Sequence, residues 1–363
     1  MRVSIDAMGG DYAPENIVLG AIMALKDIPV ITRLHLVGDQ KRIEQELARH
    51  AFADSRLTIL HASQVIGMDE SAIQGVRRKK DSSMTRAIDL VREGQADIIV
   101  SAGNTGALFT AAHLKLRTLE GVDRPGLACV MPSREGRFIL MDAGANLEPR
   151  PEHLLQYAYM GSLYAREIFG VPQPRVGLFS IGTEDMKGNE LVLNAHKLLK
   201  ASSLNFVGNL DGHEIFSDKC DVLIADAFVG NAILKTAEST ARAMGHWLKR
   251  SLSRNPLSRL GAAISKAGGA FAHLRSSADP DVFGGAVMLG INGLCFKSHG
   301  SASPLAIRNT ISRAIEFGQD HFNTHIVEAL QTARARDEDF PSMSPLYDGS
   351  AAPVAPAMPT SQD

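Results

Sequence analysis

Short apolar strands recur along this chain, and most run into a helix through a polar turn that contains glycine. Strand-like runs cover residues 1–6, 34–37, 57–61, 97–101, 138–142, 175–181, 205–207 and 221–226. Helical patterns separate them, including one over 14–26, with Pro14 in its first turn, and one that follows Gly38-Asp39 and ends near Arg49. Apolar strands alternating with helices specify a mainly parallel sheet covered on both faces, so the fold class is α/β. Five strands end in DAMGGD, SAGNTGA, DAGAN, IGTEDMKGN and DAFVGN. In open parallel sheets ligands bind outside the carboxyl ends of the strands, so these turns are expected on one edge, around one site. Glycine lets backbone N–H groups approach a ligand, and helix N-termini favour anions. The joint expectation is an anion site, for phosphate. Any one turn, taken singly, is equally explained by Gly, Asn and Asp making turns.

Other classes drop out. At 363 residues the chain is one large α/β domain or two units. A net charge of −2 lacks the basic excess of a general nucleic-acid binder. Cys129, Cys220 and Cys295 are far apart, outside any C-x-x-C pair, so neither a zinc site nor a disulfide framework is expected. No secretory leader is apparent and no uncharged apolar stretch reaches about 18 residues, so a cytoplasmic location is expected. The sequence has no P-loop, no G-x-G-x-x-G after a strand and no H-E-x-x-H. It also has no serine elbow; Ser180 comes nearest, but Leu178 stands where glycine is needed.

Residues 239–278 differ from the rest. They carry Arg242, Lys249, Arg250, Arg254, Arg259, Lys266 and Arg275 with no acidic residue. Asn255-Pro256 divides them into two helices joined by a tip. Leu260, Ile264, Ala267, Phe271 and Leu274 fall on one helical face, and Trp247 and Leu248 lie on the first arm. Such a hairpin suits a membrane surface, a partner subunit or an acidic protein. From about Gln331 the chain turns to RARDEDF and then Pro, Ser, Ala and Gly, and a disordered tail over 331–363 is expected.

DAMGGD at 6–11, KKDSSM at 79–84, SAGNTGAL at 101–108 and DRPGLA at 123–128 occur in that order, and so do the later segments. These are DAGAN at 142–146, PEHLLQYA at 151–158, GTEDMKGNE at 182–190 and HGSAS at 299–303. Over residues 1–330 the chain resembles the bacterial phosphate acyltransferases, which move a fatty acyl chain from acyl carrier protein to inorganic phosphate. One departure is Ala227 in DAFVGN, where that family usually has glycine; a positive backbone angle there would strain the turn. The resemblance implies a three-layer α/β/α fold related to isocitrate and isopropylmalate dehydrogenases and to phosphotransacetylase. It implies a homodimer that touches the cell membrane through a protruding basic amphipathic hairpin. It also implies an acyl phosphate product, passed to a membrane acyltransferase that acylates glycerol 3-phosphate in phospholipid synthesis.

That reaction must hold phosphate, stabilise a thioester oxyanion and accommodate a departing thiolate. Phosphate is already anionic, so positioning and electrostatics carry the rate, and no cofactor or metal is called for. Asn104, Thr105 and Gly106 open a helix at a strand end and are the first candidates for phosphate, with Gly9 and Gly10 lining the same site. Asp6 and Asp11 stand beside them, Asp6 orienting a donor or capping a helix. Asn189 and Asn231 stand in equivalent turns. Lys187 is a candidate for phosphate or the oxyanion, Asn146 for the carbonyl oxygen, and His299 for protonating the thiolate. His153 is a weaker candidate, and Lys79 and Lys80 are candidates for phosphate or the acidic carrier. The sequence does not locate the acyl channel; helices near 108–119 and the hairpin are candidates. The alternatives are a metal- and NAD-dependent dehydrogenase of the isopropylmalate type and a non-catalytic scaffold at the membrane surface.

Overall fold

A computed structural model describes residues 1–267, 269, 284–319 and 321–337. Its elements follow the expected alternation. They are β1 (Arg2–Asp6), α1 (Glu15–Asp27), β2 (Arg33–Gly38), α2 (Gln40–Arg49), β3 (Leu57–His61), α3 (Ala72–Arg78), α4 (Ser83–Arg92), β4 (Ile98–Ser101) and α5 (Thr105–Leu116). Then come β5 (Gly126–Pro132), β6 (Arg137–Met141), α6 (Pro151–Phe169), β7 (Val176–Phe179), α7 (Glu190–Ala201), β8 (Phe206–Leu210) and β9 (Val222–Ile224). The last are α8 (Ala227–Leu252), α9 (Pro256–Ala267), β10 (Ala286–Leu289), β11 (Leu294–Lys297), α10 (Pro304–Gln319) and α11 (Phe322–Arg336).

The strands form one eleven-stranded sheet in the order β3-β2-β1-β4-β11-β10-β5-β6-β9-β7-β8. It is parallel from β3 to β11 and again from β6 to β8. Between these halves β10 and β5 pair antiparallel with their neighbours, so the two halves run in opposite directions. The five turns therefore leave two opposed edges rather than the single edge expected from the sequence. The register on β5 brings those edges close. Asp6 pairs Ser101, Ser101 pairs Lys297, Lys297 pairs Ala286, and Ala286 pairs Cys129. From the other half, the Asp142 carboxylate accepts from Leu127 N at 3.1 Å, two residues before Cys129 on β5. The carboxyl ends of both halves thus come within two residues of each other along β5.

Side chains alternate between the faces of a strand, and the two faces are covered differently. One face carries a continuous apolar core that includes Val3, Ile5, Val100, Phe296, Val287, Val130, Ile139 and Ile224, under α1, α6, α10 and α11. The opposite face has two separate patches. Ile99, Met288 and Cys295 lie under α4 and α5; Leu127, Cys129, Leu140 and Leu223 lie with Ile233, Leu234 and Ala237 of α8. A layer of helices on each face gives the three-layer α/β/α arrangement.

Three expectations need correction or completion. Helix α11 continues past Gln331 to Arg336, with Leu330 and Ala333 buried, so a packed helix runs beyond the expected start of the tail. Residues 338–363 are outside the described residues. Helix α8 starts at Ala227, directly after the DAFVGN strand end, and is continuous into the basic arm. The break falls at Asn255-Pro256 as expected, where Asn255 Oδ1 accepts from Ser258 N at 2.8 Å. Trp247, Leu260 and Ile264 find no core and are 62%, 58% and 65% exposed; Phe271 and Leu274 lie outside the described residues. Finally, the helix near 108–119 packs Leu108, Ala111, Ala112 and Leu116 in the core and leaves Leu114 exposed.

Candidate active site

Between the two apolar patches of the broken face stand polar residues from three adjacent strand ends: Asp6, Ser101 and Lys297. Lys297 is 9% exposed at the end of the apolar strand β11. Its Nζ donates to Ala102 O at 3.3 Å and to Ser298 O. An ammonium has three hydrogens, so two carbonyls leave one for a ligand. Burial pulls Lys297 down to about 8; the Lys235 charge acts the same way, and Asp6 and Asp11 oppose it. An anion beside it would restore its charged form. Lys297 was missed in the sequence, where it reads as the polar end of LCFK; a charge closing an apolar strand two residues before His299 was the signal available.

The Asp6 carboxyl anchors this end. It accepts from Ser101 Oγ at 2.7 Å and from Met8 N at 3.3 Å, and Ser101 Oγ accepts from Gly103 N at 3.0 Å. Burial pushes its carboxyl up, and hydrogen bonds from Ser83 and Ser101 counter that. Gly9 is required here because a Cβ would lie 2.4 Å from Asp6 Oδ2 and 2.7 Å from Gly103 N. Gly10 has φ +102°, and a Cβ on it would lie 2.8 Å from Gly300 O. Asp11 N donates to that same carbonyl at 2.8 Å. The DAMGGD, SAGNTGA and HGSAS segments are thereby packed into one unit that holds Gly9 and Gly10.

The asparagines divide by what their amides touch. Asn104 is spent on structure. Its Oδ1 caps α5 by accepting from Ala107 N at 3.0 Å, and its Nδ2 donates to Gly67 O, Met68 O and Glu70 O. Thr105 and Gly106 are exposed in the first turn of α5, where backbone N–H groups lack intrahelical partners. Asn146 is 5% exposed, and its Nδ2 donates to Pro125 O at 2.6 Å and to Tyr157 Oη at 2.5 Å. It holds the DAGAN turn and does not present its amide to a ligand. Asn189 caps α7 by accepting from Val192 N at 2.9 Å. Asn231 is exposed near Gly144, and Lys187 is exposed in the loop after β7.

Asp226 caps α8, and Ala227 is its first helical residue, outside the positive-φ residues. The methyl group in place of the family's glycine therefore meets no strained turn. His153 is buried at the start of α6, where burial and the Arg150 charge take it down to about 4. Lys79 is paired with Glu70 and donates to Val65 O at 2.7 Å.

His299 meets the other half of the molecule. Its Nε2 lies 3.7 Å from Glu238 Oε2, eleven residues into α8, and its Nδ1 lies 2.8 Å from Ser301 Oγ. Lys235 Nζ donates to the same Glu238 carboxylate at 3.1 Å. Helix α8 thus starts against the DAGAN turn, where a Cβ on Gly230 would collide with Asp142 O, and ends its packed course beside His299. Lys297, Lys235 and His299 bring hydrogen-bond donors to this end of the sheet, with the Glu238 carboxylate between the last two. Such donors can hold a phosphate and stabilise negative charge developing on an acyl oxygen.

Comparison with known proteins gives the family and the fold likeness of the chain. A family model described as "Fatty acid synthesis protein" matches residues 1–325. A phosphate acyltransferase of Thermodesulfovibrio yellowstonii is 42% identical over 346 residues, covering 95% of this chain and 99% of that protein. One of Desulfitobacterium hafniense is 44% identical over 341 residues, covering 93% and 100%. Among solved structures, a phosphotransacetylase from Streptococcus pyogenes aligns with a TM-score of 0.56 at 17% identity, covering 88% of this chain and 94% of that one. A branched-chain phosphotransacylase from Enterococcus faecalis gives 0.53 at 16% identity, covering 88% and 99%; both likenesses concern the fold. On this near full-length identity, the chain belongs to the phosphate acyltransferase family of fatty acid synthesis proteins.

Proposed function

We propose that the protein transfers a fatty acyl chain from acyl carrier protein to inorganic phosphate, with the phosphate held at Lys297. The observation that carries the placement is the buried Lys297 ammonium, close to where both sets of strand ends approach each other along β5. A dianion there recovers the charge interaction that burial denies the lysine. Gly9, Gly10 and the first turn of α5 supply backbone donors. Lys187 approaches from the opposed strand ends to stabilise the thioester oxygen. The acyl phosphate then feeds phospholipid synthesis by a membrane acyltransferase that uses glycerol 3-phosphate.

The chain works as a homodimer at the cytoplasmic face of the membrane. Supporting this are the exposed Trp247, Leu257, Leu260 and Ile264 beside Lys249, Arg250, Arg254 and Arg259 on α8 and α9. Among the described residues no helix is long and apolar enough to cross a membrane. The dehydrogenase alternative needs clustered carboxylates for a divalent cation, and among the described residues no three His, Cys, Asp or Glu gather that way.

The test is incubation with palmitoyl-acyl carrier protein and labelled phosphate, without metal or nicotinamide. The expected result is labelled acyl phosphate in step with released carrier thiol. A folded protein and a properly acylated carrier that give neither product would sink the reading.

A further inference from the structure

The two ring nitrogens of His299 have different partners. Nδ1 accepts from Ser301 N at 3.2 Å and lies 2.8 Å from Ser301 Oγ. An accepting Nδ1 carries no hydrogen, so the neutral ring holds its hydrogen on Nε2, facing Glu238. The Glu238 side chain is 10% exposed. Burial alone would raise its carboxyl, but hydrogen bonds from His299 and Lys235 outweigh burial and hold it at about 2. A fixed anion therefore orients the ring from behind, and the Nδ1 lone pair faces the hydroxyl of an exposed serine. Ser301 lies in the segment packed on Gly10 and Asp11, four residues after Lys297.

Acyl transfer as proposed above, on which this inference rests, leaves one proton to be moved. A phosphate oxygen bonds to the thioester carbonyl carbon and the carbon–sulfur bond breaks. Hydrogen phosphate brings a hydrogen that the acyl phosphate does not keep, and the sulfur leaves as a thiol that needs one. We infer that the Ser301 hydroxyl contacts the reacting atoms and carries this proton, with His299 behind it as acceptor and donor and Glu238 as the positioning residue. As phosphate attacks, its hydrogen passes to Ser301 Oγ while the hydroxyl hydrogen passes to His299 Nδ1. As the carbon–sulfur bond breaks, both transfers reverse, now towards sulfur. Ser301 and His299 end as they began, and no bond forms between serine and the acyl group. An acyl-serine ester would lie below an acyl phosphate in free energy and would trap the chain. The resting polarity, hydroxyl to Nδ1 and Nε2–H to Glu238, is that of a general base ready for the first transfer.

The test uses the full chain with wild type, Ser301→Ala and Glu238→Gln. With palmitoyl-acyl carrier protein, Ser301→Ala should lower kcat about 100-fold and leave the KM for phosphate within about twofold. Glu238→Gln should lower kcat about 10-fold in the same pattern. A palmitoyl thioester of an acidic aryl thiol expels its thiolate without a proton, so on it only the first transfer remains and the Ser301→Ala loss should shrink to about 10-fold. Ser301→Thr, which keeps a hydroxyl, should recover much of the alkyl-thioester rate. Equal losses on the two thioesters, or a Ser301→Ala rate equal to wild type, would overturn the relay. A wild type that forms no acyl phosphate would instead overturn the transferase reading itself.

Discussion

Asp6 ends β1 and Asp142 directly follows β6, each begins a D-A turn, and each is buried. Their surroundings differ. The Asp142 carboxylate accepts from the backbone N–H groups of Leu127, Gly144, Ala145 and Asn146, so its turn is closed on itself. The Asp6 carboxyl has fewer backbone partners and instead meets Ser101, the edge of Gly9 and the charge of Lys297. Burial pushes both carboxyls up, and at Asp142 four backbone hydrogen bonds counter it. The same residue type at a strand end thus does two jobs. At Asp142 it shapes the chain, and at Asp6 it supports a buried cation that retains donor capacity. A ligand goes where the hydrogen bonding is incomplete.

The most severe test of this difference is Lys297→Met. If the Asp6 end is the working end, kcat/KM for acyl transfer should fall about a thousandfold, as for loss of a charged oxyanion or phosphate donor. The melting temperature should hold or rise, because a buried charge is replaced by an apolar chain of similar length. A thermal scan beside the activity measurement decides it. A variant that melts lower with activity retained would make Lys297 a structural residue.

The Asp142 end should behave in the opposite way. Asn146→Ala removes the donor to Pro125 O and Tyr157 Oη inside the core and should cost about 2 kcal/mol of stability. Measured below its melting transition, the variant should turn over within about threefold of wild type. Urea unfolding gives the first number and steady-state kinetics the second. A large loss of kcat with unchanged stability would return Asn146 to the chemistry.

Asn104→Ala probes the boundary between the two behaviours with a smaller effect. Loss of the α5 cap should cost about 1 kcal/mol. It should also free the 67–70 segment, to which Asn104 Nδ2 donates three times. Raised hydrogen exchange at residues 67–70 with a modest increase in the KM for phosphate is the expected outcome.

How far the sequence could take this comparison follows from what each signal encodes. Strand–helix alternation and glycine turns are local, and they placed the elements and the five loops. The reversal of the sheet is built from two local hairpins, β5–β6 and β10–β11, but the pairing that joins them is not local: residues 126–129 of the apolar LACVM strand pair with 286–289, and nothing near either run marks the other as its partner. Asn104, Asn146 and Asn189 look alike in their motifs because a turn-forming asparagine and a ligand-binding one share composition. Only the acceptors around each amide separate them. Lys297 was hidden by its apolar strand, and the link from Glu238 to His299 spans 61 residues. By contrast, Leu260 and Ile264 were legible as a helical stripe, and the structure adds that they are exposed among the described residues.

The subtlest consequence of the Asp6–Lys297 end is a proton count. Lys297 falls to about 8 from an ordinary 10.5 because burial disfavours its charged form. The unfolded chain therefore binds more protons than the folded one between those two values. Stability contributed by this group consequently rises as pH rises through about 8 towards 10.5, and the full cost of the buried ammonium is felt below 8. A bound phosphate dianion reverses the shift by giving the ammonium a partner. At pH 8.5 the free protein holds Lys297 largely neutral, so phosphate binding should draw in more than about half a proton. Isothermal titration in two buffers of different ionisation enthalpy measures that uptake directly. Lys297→Met should abolish it, and so should lowering the pH to 6.5, where the lysine is already charged. The Asp142 end supplies the control: its carboxyl already accepts from four backbone N–H groups, so Asn146→Ala should leave the uptake unchanged. Uptake that survives in Lys297→Met would move the phosphate away from the Asp6 end and dissolve the distinction between the two turns.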